Sequence, residues 1–202
     1  MLRYCQSCLL PDTRPGVTLD ARGVCRACRN AVEKQGIDWA ARAATFGEVV
    51  SNARARARSY DCVIPISGGK DSYWQVVTCL ERGLHPLCVT FVYPGRTRLG
   101  ERNLRRLIQL GVDHIEFRVN PRVQREFTER AFRKTAISGL VTHMAIASVP
   151  VQVAAAYEIP LVVYGENSAF EYGREDESLT GARVDRRWLR SFGVTAGTTA
   201  ED

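Results

Sequence analysis

The sequence predicts an α/β fold with a doubly wound parallel sheet and a small cysteine-rich unit at the N-terminus. Three observations lead to this prediction. Helix and strand patterns alternate after about residue 38, four cysteines form two CxxC pairs before residue 30, and a glycine turn follows the first apolar strand. Such alternation implies right-handed crossovers between parallel strands, with helices on both faces of the sheet.

The first predicted helix is capped by Asp38 and runs through about Arg58. Beyond it, short apolar runs indicate buried parallel strands, and longer stretches between them indicate helices. The predicted strands are Tyr60–Ile66, His85–Val92, His114–Val119 and Leu161–Tyr164. The predicted helices between them run from the glycine turn to about Arg82, from Leu99 to Leu110, from Pro121 to Lys134, and from Thr142 to Tyr157 with an interruption near Pro150.

These elements divide the chain into three parts. Residues 1–36 form the cysteine-rich unit, residues 37–173 the α/β domain, and residues 174–202 a polar tail with weak patterning.

Composition excludes several classes of protein. The 202 residues are 45% hydrophobic and 25% charged, as in ordinary globular proteins. No apolar run approaches the roughly 18 residues of a membrane span, and the N-terminus has no apolar signal core. We therefore expect a cytoplasmic protein without a membrane partner. The net charge of +6 points to anionic substrates or partners without saying which.

The four N-terminal cysteines have the spacing of a metal site. Cys5 and Cys8 are separated by sixteen residues from Cys25 and Cys28. Each CxxC turn presents two thiolates, so the two pairs together complete a tetrahedral structural zinc site. Free thiols or disulfides are the alternatives, and a cytosolic chain disfavours disulfides. The remaining cysteines, Cys62, Cys79 and Cys88, stand in apolar runs and are expected to be buried small hydrophobic residues.

The segment Ser67–Ser72, with the sequence SGGKDS, is the strongest candidate for a binding site. Glycines let a backbone approach phosphate closely, and the following helix N-terminus offers unpaired N–H groups. The alternative is a simple glycine turn with a helix cap, which leaves most of the hexapeptide unexplained. The segment is neither a Walker A loop nor a dinucleotide GxGxxG loop.

SGGKDS after an apolar strand resembles the PP-loop of ATP pyrophosphatases, which have the adenine nucleotide alpha-hydrolase-like fold. A more extensive resemblance joins the chain to the N-acetyl sugar amidotransferases. It rests on YCQSCLLPDTRPG, GVCRAC, PISGGKDSYWQV, GVDHIEF, VPVQVAAAYEIPLVVYGEN, EYG and DRRWL. Members of that family are usually considerably longer, so we expect either a truncated chain or a remainder supplied elsewhere.

The resemblance implies an ATP-dependent activity that forms a C–N bond. ATP would adenylylate the amide oxygen of an N-acetyl sugar, and ammonia would replace AMP to give an acetamidino group in surface polysaccharide or nonulosonic acid synthesis. The ammonia is expected from a separate glutaminase subunit, because nothing in this sequence resembles a glutaminase. The implied cofactors are Mg²⁺ and structural Zn²⁺.

The same resemblance assigns roles to residues by position. Lys70, Asp71 and Glu166 would be catalytic, with Asp71 contacting magnesium or organising the loop; for Glu166 a solvated loop acid is the alternative. The residues that would bind ATP are Pro65, Ile66, Ser67, Gly68, Gly69, Lys70, Asp71, Ser72, Thr90, Phe91, Gly165 and Asn167. Weaker candidates are His143 and the arginines of Arg118–Lys134. A structural role is the commoner one for a histidine on a helix, and a solvated helix face is the simpler account of most of the arginines.

Two other functions remain open. A tRNA-thiolating PP-loop enzyme shares the zinc knuckle and the loop, but this chain lacks the later cysteine pair. Its basic helix also has little aromatic interleaving, so nucleic acid is not the expected partner. The second alternative is a non-catalytic nucleotide-binding scaffold for a glutaminase. The oligomeric state is left open.

Overall fold

The computed structural model describes residues 2–13, 17–136 and 138–166. The described chain forms two compact units, one extending to Ala44 and one covering Thr45–Gly165. The helices are α1 (Arg26–Glu33), α2 (Trp39–Arg56), α3 (Lys70–Glu81), α4 (Arg98–Ile108), α5 (Pro121–Thr135) and α6 (Leu140–Ala156). The strands are β1 (Cys62–Pro65), β2 (Pro86–Phe91) and β3 (Asp113–Phe117), and a short 3₁₀ helix covers Lys34–Gly36. The predicted boundary at residue 36 stays a prediction, and the polar tail lies outside the described residues.

The three strands form a parallel sheet in the order β1-β2-β3. The predicted fourth strand, Leu161–Tyr164, lies parallel to β1 on its other side but makes a single bridge, between Val63 and Val162. The Val63 N–H donates to the Leu161 carbonyl at 2.8 Å, and the Val163 N–H donates to the Val63 carbonyl at 2.9 Å.

The strand order places a topological switch point between β1 and the segment 161–163. From β1 the chain moves to β2 and β3 in one direction, and it then crosses back to the opposite side of β1. In open α/β sheets, ligands bind at the carboxyl ends of the strands where the order reverses in this way. Here these ends lead into Ser67–Ser72 and into Gly165.

Both faces of the sheet are covered, which confirms the doubly wound prediction. On one face Cys62, Ile64 and Cys88 pack with residues of α2, α3 and α4. On the other face Val63, Leu87 and Val89 pack with residues of α6. Burial on both sides explains why these strands are continuous apolar runs instead of alternating patterns.

The three later cysteines belong to the core, as predicted. Cys62, Cys79 and Cys88 are buried in the cluster under α3 and α4. Burial raises the pKa of the Cys88 thiol to about 12. A thiol in this state is inert, in keeping with a packing role.

Local signals account for most of the helix ends. The Ala41 N–H donates to the Asp38 carboxylate at 2.9 Å, so Asp38 caps α2 as predicted. Asn120 caps α5, and Pro121 occupies its first turn. The observed boundaries differ from the predicted ones by one or two residues at most of these ends, as usual for fraying termini.

The predicted interruption of the last helix near Pro150 is wrong, because α6 is continuous through this residue. Proline removes one backbone donor and crowds the preceding turn. Burial of Val149, Pro150 and Ala154 nevertheless holds the helix on the sheet. The Tyr164 hydroxyl donates to the Ala147 carbonyl at 3.0 Å in the turn before the proline. Among the described helices, none combines the length and the apolar character that a membrane crossing needs.

Candidate active site and metal centre

The four N-terminal cysteines converge on one point. Their Sγ atoms all lie within 4.8 Å of one another. The Cys5 and Cys28 sulfurs are 3.9 Å apart, and those of Cys8 and Cys25 are 3.7 Å apart. Four thiolates about 2.3 Å from a tetrahedral zinc ion stand about 3.8 Å from one another. A disulfide would need about 2.05 Å, so the cluster fits zinc and excludes the disulfide alternative among these residues.

Two backbone turns build this cluster. The Cys5 N–H donates to the Leu10 carbonyl at 2.9 Å, and the Gln6 N–H donates to the Gly23 carbonyl at 2.9 Å, which joins the two turns. The Cys25 N–H donates to the Cys5 sulfur at 3.2 Å. This bond is the main cause that lowers the pKa of Cys5 to about 6, a shift that favours the thiolate a metal requires. Four protein ligands would give a zinc ion bound here the closed coordination of a structural site.

The loop between β1 and α3 is held by its own serines. The Ser67 N–H donates to the Ser72 hydroxyl at 3.4 Å, and that hydroxyl donates to the Gly69 carbonyl at 3.0 Å. The Gly69 N–H donates to the Ser67 hydroxyl at 3.3 Å. Gly69 is the N-cap of α3 and provides no side-chain cap. No described residue accepts a hydrogen bond from the first three N–H groups of α3, and such groups at a helix start can bind a phosphate.

Lys70 and Asp71 lie side by side in that first turn. Their side chains are largely exposed, and the Lys70 Nζ donates to the Asp71 Oδ1 at 2.5 Å. One carboxylate is a partial ligand set for Mg²⁺, which binds proteins through one or two carboxylates together with substrate phosphates. The expected roles of both residues stay predictions.

Gly68 is required by packing as well as by its conformation. Its φ is +81°, and a Cβ built on it would lie 2.4 Å from the Gly100 carbonyl oxygen in α4. No other residue type has both the freedom for this φ and the space for the contact. The first turn of α4 therefore rests against the loop.

Thr90 and Phe91, two of the residues expected to bind ATP, have buried side chains. The Thr90 hydroxyl donates to the Ile66 carbonyl at 2.9 Å and lies 2.8 Å from the His114 Nε2. Phe91 packs with the α6 face of the core. Ile66 is buried too, and its N–H donates to the Val89 carbonyl at 2.8 Å, while Pro65 closes β1. Any contact of Thr90 or Phe91 with a nucleotide would thus use the backbone.

His114 is a site residue that the sequence interpretation missed. It is half-buried, and burial lowers the pKa of its imidazole. The signal available was a period of two in the third strand, where His114, Glu116 and Arg118 alternate with Ile115 and Phe117. Polar residues at alternate positions indicate one polar face of a strand.

A second missed residue, Gln75, joins α3 to the end of the fourth segment. Its Nε2 donates to the Val163 carbonyl at 2.5 Å. A Cβ on Gly165 would lie 2.8 Å from the Gln75 Oε1, so a larger residue at this position would displace the Gln75 side chain. Gly165 therefore stands at the switch point with the phosphate loop. Glu166 is exposed, and Asn167 lies outside the described residues.

The weaker candidates include exposed residues on two helices. His143 is exposed on the first turn of α6, beside Gly139. In α5, Arg122 pairs with Glu126 and Arg133 with Glu129, one helical turn apart. Such pairs are typical of a solvated face.

Comparison with known proteins bears on the fold. No protein-family model matches the chain, and no curated protein matches it in sequence. The structure of NMN synthetase from Francisella tularensis is similar over 62% of this chain and 53% of that one, with 17% identity and a TM-score of 0.50. This chain has the adenine nucleotide alpha-hydrolase fold.

A predicted subunit of tRNA methyltransferase from Methanocaldococcus jannaschii also matches, over 68% of this chain and 64% of that one, with 16% identity and a TM-score of 0.38. The chain spans about half the length of the NMN synthetase chain. The narrower sugar amidotransferase family stays a prediction.

Proposed function

We propose that the chain is an ATP-dependent amidotransferase that converts the N-acetyl group of a sugar into an acetamidino group. The observation that carries the ATP-using part is the first turn of α3, which begins within SGGKDS at the switch point of the sheet and has no side-chain cap. The sequence resemblance to the sugar amidotransferases supplies the acceptor. We expect a cytoplasmic enzyme that receives ammonia from a glutaminase subunit.

In this proposal the loop holds the leaving pyrophosphate of ATP. The hydroxyls of Ser67 and Ser72, the N–H groups at the start of α3 and the Lys70 ammonium lie on one short segment. Together they supply hydrogen-bond donors and positive charge to the β and γ phosphates, with Asp71 as a ligand of Mg²⁺. Donors fixed in advance lower the barrier because they need little reorganisation as charge develops.

The chemistry consists of two displacements. The acetamido oxygen attacks the α phosphorus of ATP, and the bond from that phosphorus to the pyrophosphate oxygen breaks. Ammonia then adds to the activated carbon, loses a proton, and AMP leaves with the former amide oxygen. The protein contributes mainly by holding the oxygen and the phosphorus in line. Glu166 is proposed to orient the acetamido group.

Product analysis tests this function. Purified protein is incubated with ATP, Mg²⁺, an ammonium salt and a panel of UDP- and CMP-linked N-acetyl sugars. We expect AMP and pyrophosphate together with a sugar in which NH has replaced oxygen, and no AMP when ammonium or sugar is omitted. ATP binding without AMP from any sugar would contradict the proposal and favour the non-catalytic scaffold.

A tRNA-modifying enzyme is the second candidate, and the outer face of α4 favours it. Arg98, Arg102 and Arg106 have no salt-bridge partner among the described residues and follow one another at about 6 Å along the helix. A row of unpaired cations on this scale suits successive phosphates of a nucleic acid strand. For this function we expect tRNA binding that weakens steeply with salt and that is lost in R98Q/R102Q/R106Q but retained in R122Q/R125Q/R133Q on α5.

A further inference from the structure

A cavity of about 500 Å³ lies between α4 and β3, the outermost strand of the described sheet. Val92 lines it at the end of β2, next to the carboxyl end of β3. The polar and charged residues around it are Arg96, Glu101, Arg105, His114, Glu116 and Arg118. The cavity is thus on the ligand-binding edge of the sheet, but on the far side of β2 from the phosphate loop.

The arginines of this cavity are held in place and keep free donors. The side chain of Arg96 is only 13% exposed, and its Nη1 donates to the Glu116 Oε1 at 2.9 Å. Arg118 donates to the other carboxylate oxygen of Glu116 at 3.1 Å. Each guanidinium carries five N–H donors, so one carboxylate uses a minority of them. No other described residue accepts a hydrogen bond from either guanidinium. Three arginines and two glutamates line the cavity, so its net charge is positive.

His114 adds a fixed, neutral ring to the same cavity. The single Thr90 hydroxyl proton goes to the Ile66 carbonyl, so the His114 Nε2 must be the donor in its contact with Thr90. Its Nδ1 is then an acceptor, because burial lowers the pKa of this ring and favours the neutral form. The same two bonds connect the cavity to Ile66, the residue before the phosphate loop.

We propose that this cavity binds an oxyanion, phosphate or carboxylate, carried by the second substrate. The identity of that substrate rests on the proposed function. Under that function, the second substrate is an anionic N-acetyl sugar and not a neutral one. Planar guanidinium groups match phosphate and carboxylate oxygens in pairs. Glu116 and the His114 Nδ1 remain as acceptors for neighbouring hydroxyl groups.

Nuclear magnetic resonance of the histidine ring nitrogens tests the site without turnover. The chain has three histidines, and His85 and His143 do not line the cavity, so they serve as internal controls. Inorganic phosphate and acetate are titrated separately. We expect saturable shifts of the His114 signals with at least one of them, and the arm that responds identifies the oxyanion. Equal shifts of all three rings, or none at His114 with either anion, would overturn the proposal.

Variants distinguish anion binding in this cavity from anion binding in the phosphate loop. Arg105 and Arg118 are 70% exposed, so R105Q/R118Q is expected to stay folded and to raise the apparent dissociation constant about tenfold. The apparent dissociation constant is expected to stay unchanged in the matched variant R122Q/R133Q on α5 and in Lys70→Ala in the loop. Loss of the His114 response in Lys70→Ala would mean that the anion binds in the loop, which contradicts the proposal.

Turnover measurements distinguish a failure of the anion site from a failure of the proposed amidotransferase function. If UDP-N-acetylglucosamine and free N-acetylglucosamine support AMP formation with equal kcat/KM, the amidotransferase stands and the anion site is overturned. If phosphate or acetate binds at His114 but no sugar yields AMP, the site stands and the amidotransferase fails.

Discussion

Lys70 and Asp71 are two exposed neighbours whose charges satisfy each other at the surface of α3. Exposed ion pairs of this kind contribute little to stability. Asp71→Ala should therefore leave the melting temperature and the zinc content unchanged while AMP formation is abolished. Glu126→Ala, which breaks the exposed pair with Arg122 on α5, is the matched control and should affect neither. AMP formation at the normal rate in Asp71→Ala would remove this carboxylate from the mechanism.

Three glycines allow two costs of a side chain at Gly68 to be measured separately: the positive φ and the close contact with α4. Gly68 combines positive φ with a close contact, Gly111 has a φ of +95° in open space, and Gly47 is helical with nothing near it. Gly47→Ala should stabilise the protein by about 0.5–1 kcal/mol, and Gly111→Ala should destabilise it by about 1–2 kcal/mol. Gly68→Ala should cost more than Gly111→Ala because the α4 backbone must also move. Urea unfolding measures all three, and an equal cost at residues 68 and 111 would refute the packing argument.

Single residues also show where sequence interpretation reached its limit. The loop Ser67–Ser72 was recognisable because its glycines, serines and charges are contiguous. The contacts of the buried Thr90 hydroxyl could not be recognised in this way, because its partners are Ile66, just after β1, and His114 in β3. Such partners are brought together by the sheet and leave no mark on local spacing.

At the level of elements, local chemistry predicted the helix starts at Asp38 and Pro121. The errors arose where tertiary packing overrides local preference. Pro150 is buried within a continuous helix, and the fourth strand is reduced to one bridge beside Val63. A proline in the sequence indicates the backbone cost of placing it in a helix, but not the tertiary packing that offsets this cost.

The half-buried ring of His114 is expected to make the stability of the sheet depend on pH. Burial lowers the pKa of His114, so the unfolded chain binds a proton on this ring at a higher pH than the folded chain. The stability that depends on the neutral ring is full above the unfolded pKa of about 6.5 and falls as the pH drops toward the lower folded pKa. His114→Gln should flatten this part of the profile between about pH 7.5 and 5.5. His143→Gln, on the exposed side of α6, should retain it. Parallel curves for wild type and His114→Gln in urea would contradict this assignment.

At the scale of the whole molecule, the cysteine cluster and the sheet core use the same residue type for different purposes. Cys25 and Cys88 are equally buried, but Cys25 belongs to the four-sulfur cluster and Cys88 to the apolar core. Cys25→Ser should lose bound zinc and impair folding, because metal binding supplies much of the stability of small closed zinc sites. Cys88→Ala should keep one zinc per chain and lose only packing energy. Elemental analysis and thermal melting measure both properties, and full zinc content in Cys25→Ser would contradict the proposed ligand set.

The pairing of Val63 with Val162 also determines the order in which the molecule can assemble. The four clustered cysteines lie within the first 28 residues, so their contacts are local, whereas these two valines are separated by about a hundred residues. Contacts over such separations form late, after a large loss of chain entropy. During synthesis the first 28 residues can therefore fold while β1 still lacks a neighbour on one side. The switch point beside β1 is completed only after residue 163 has left the ribosome, so this part of the sheet forms late in folding.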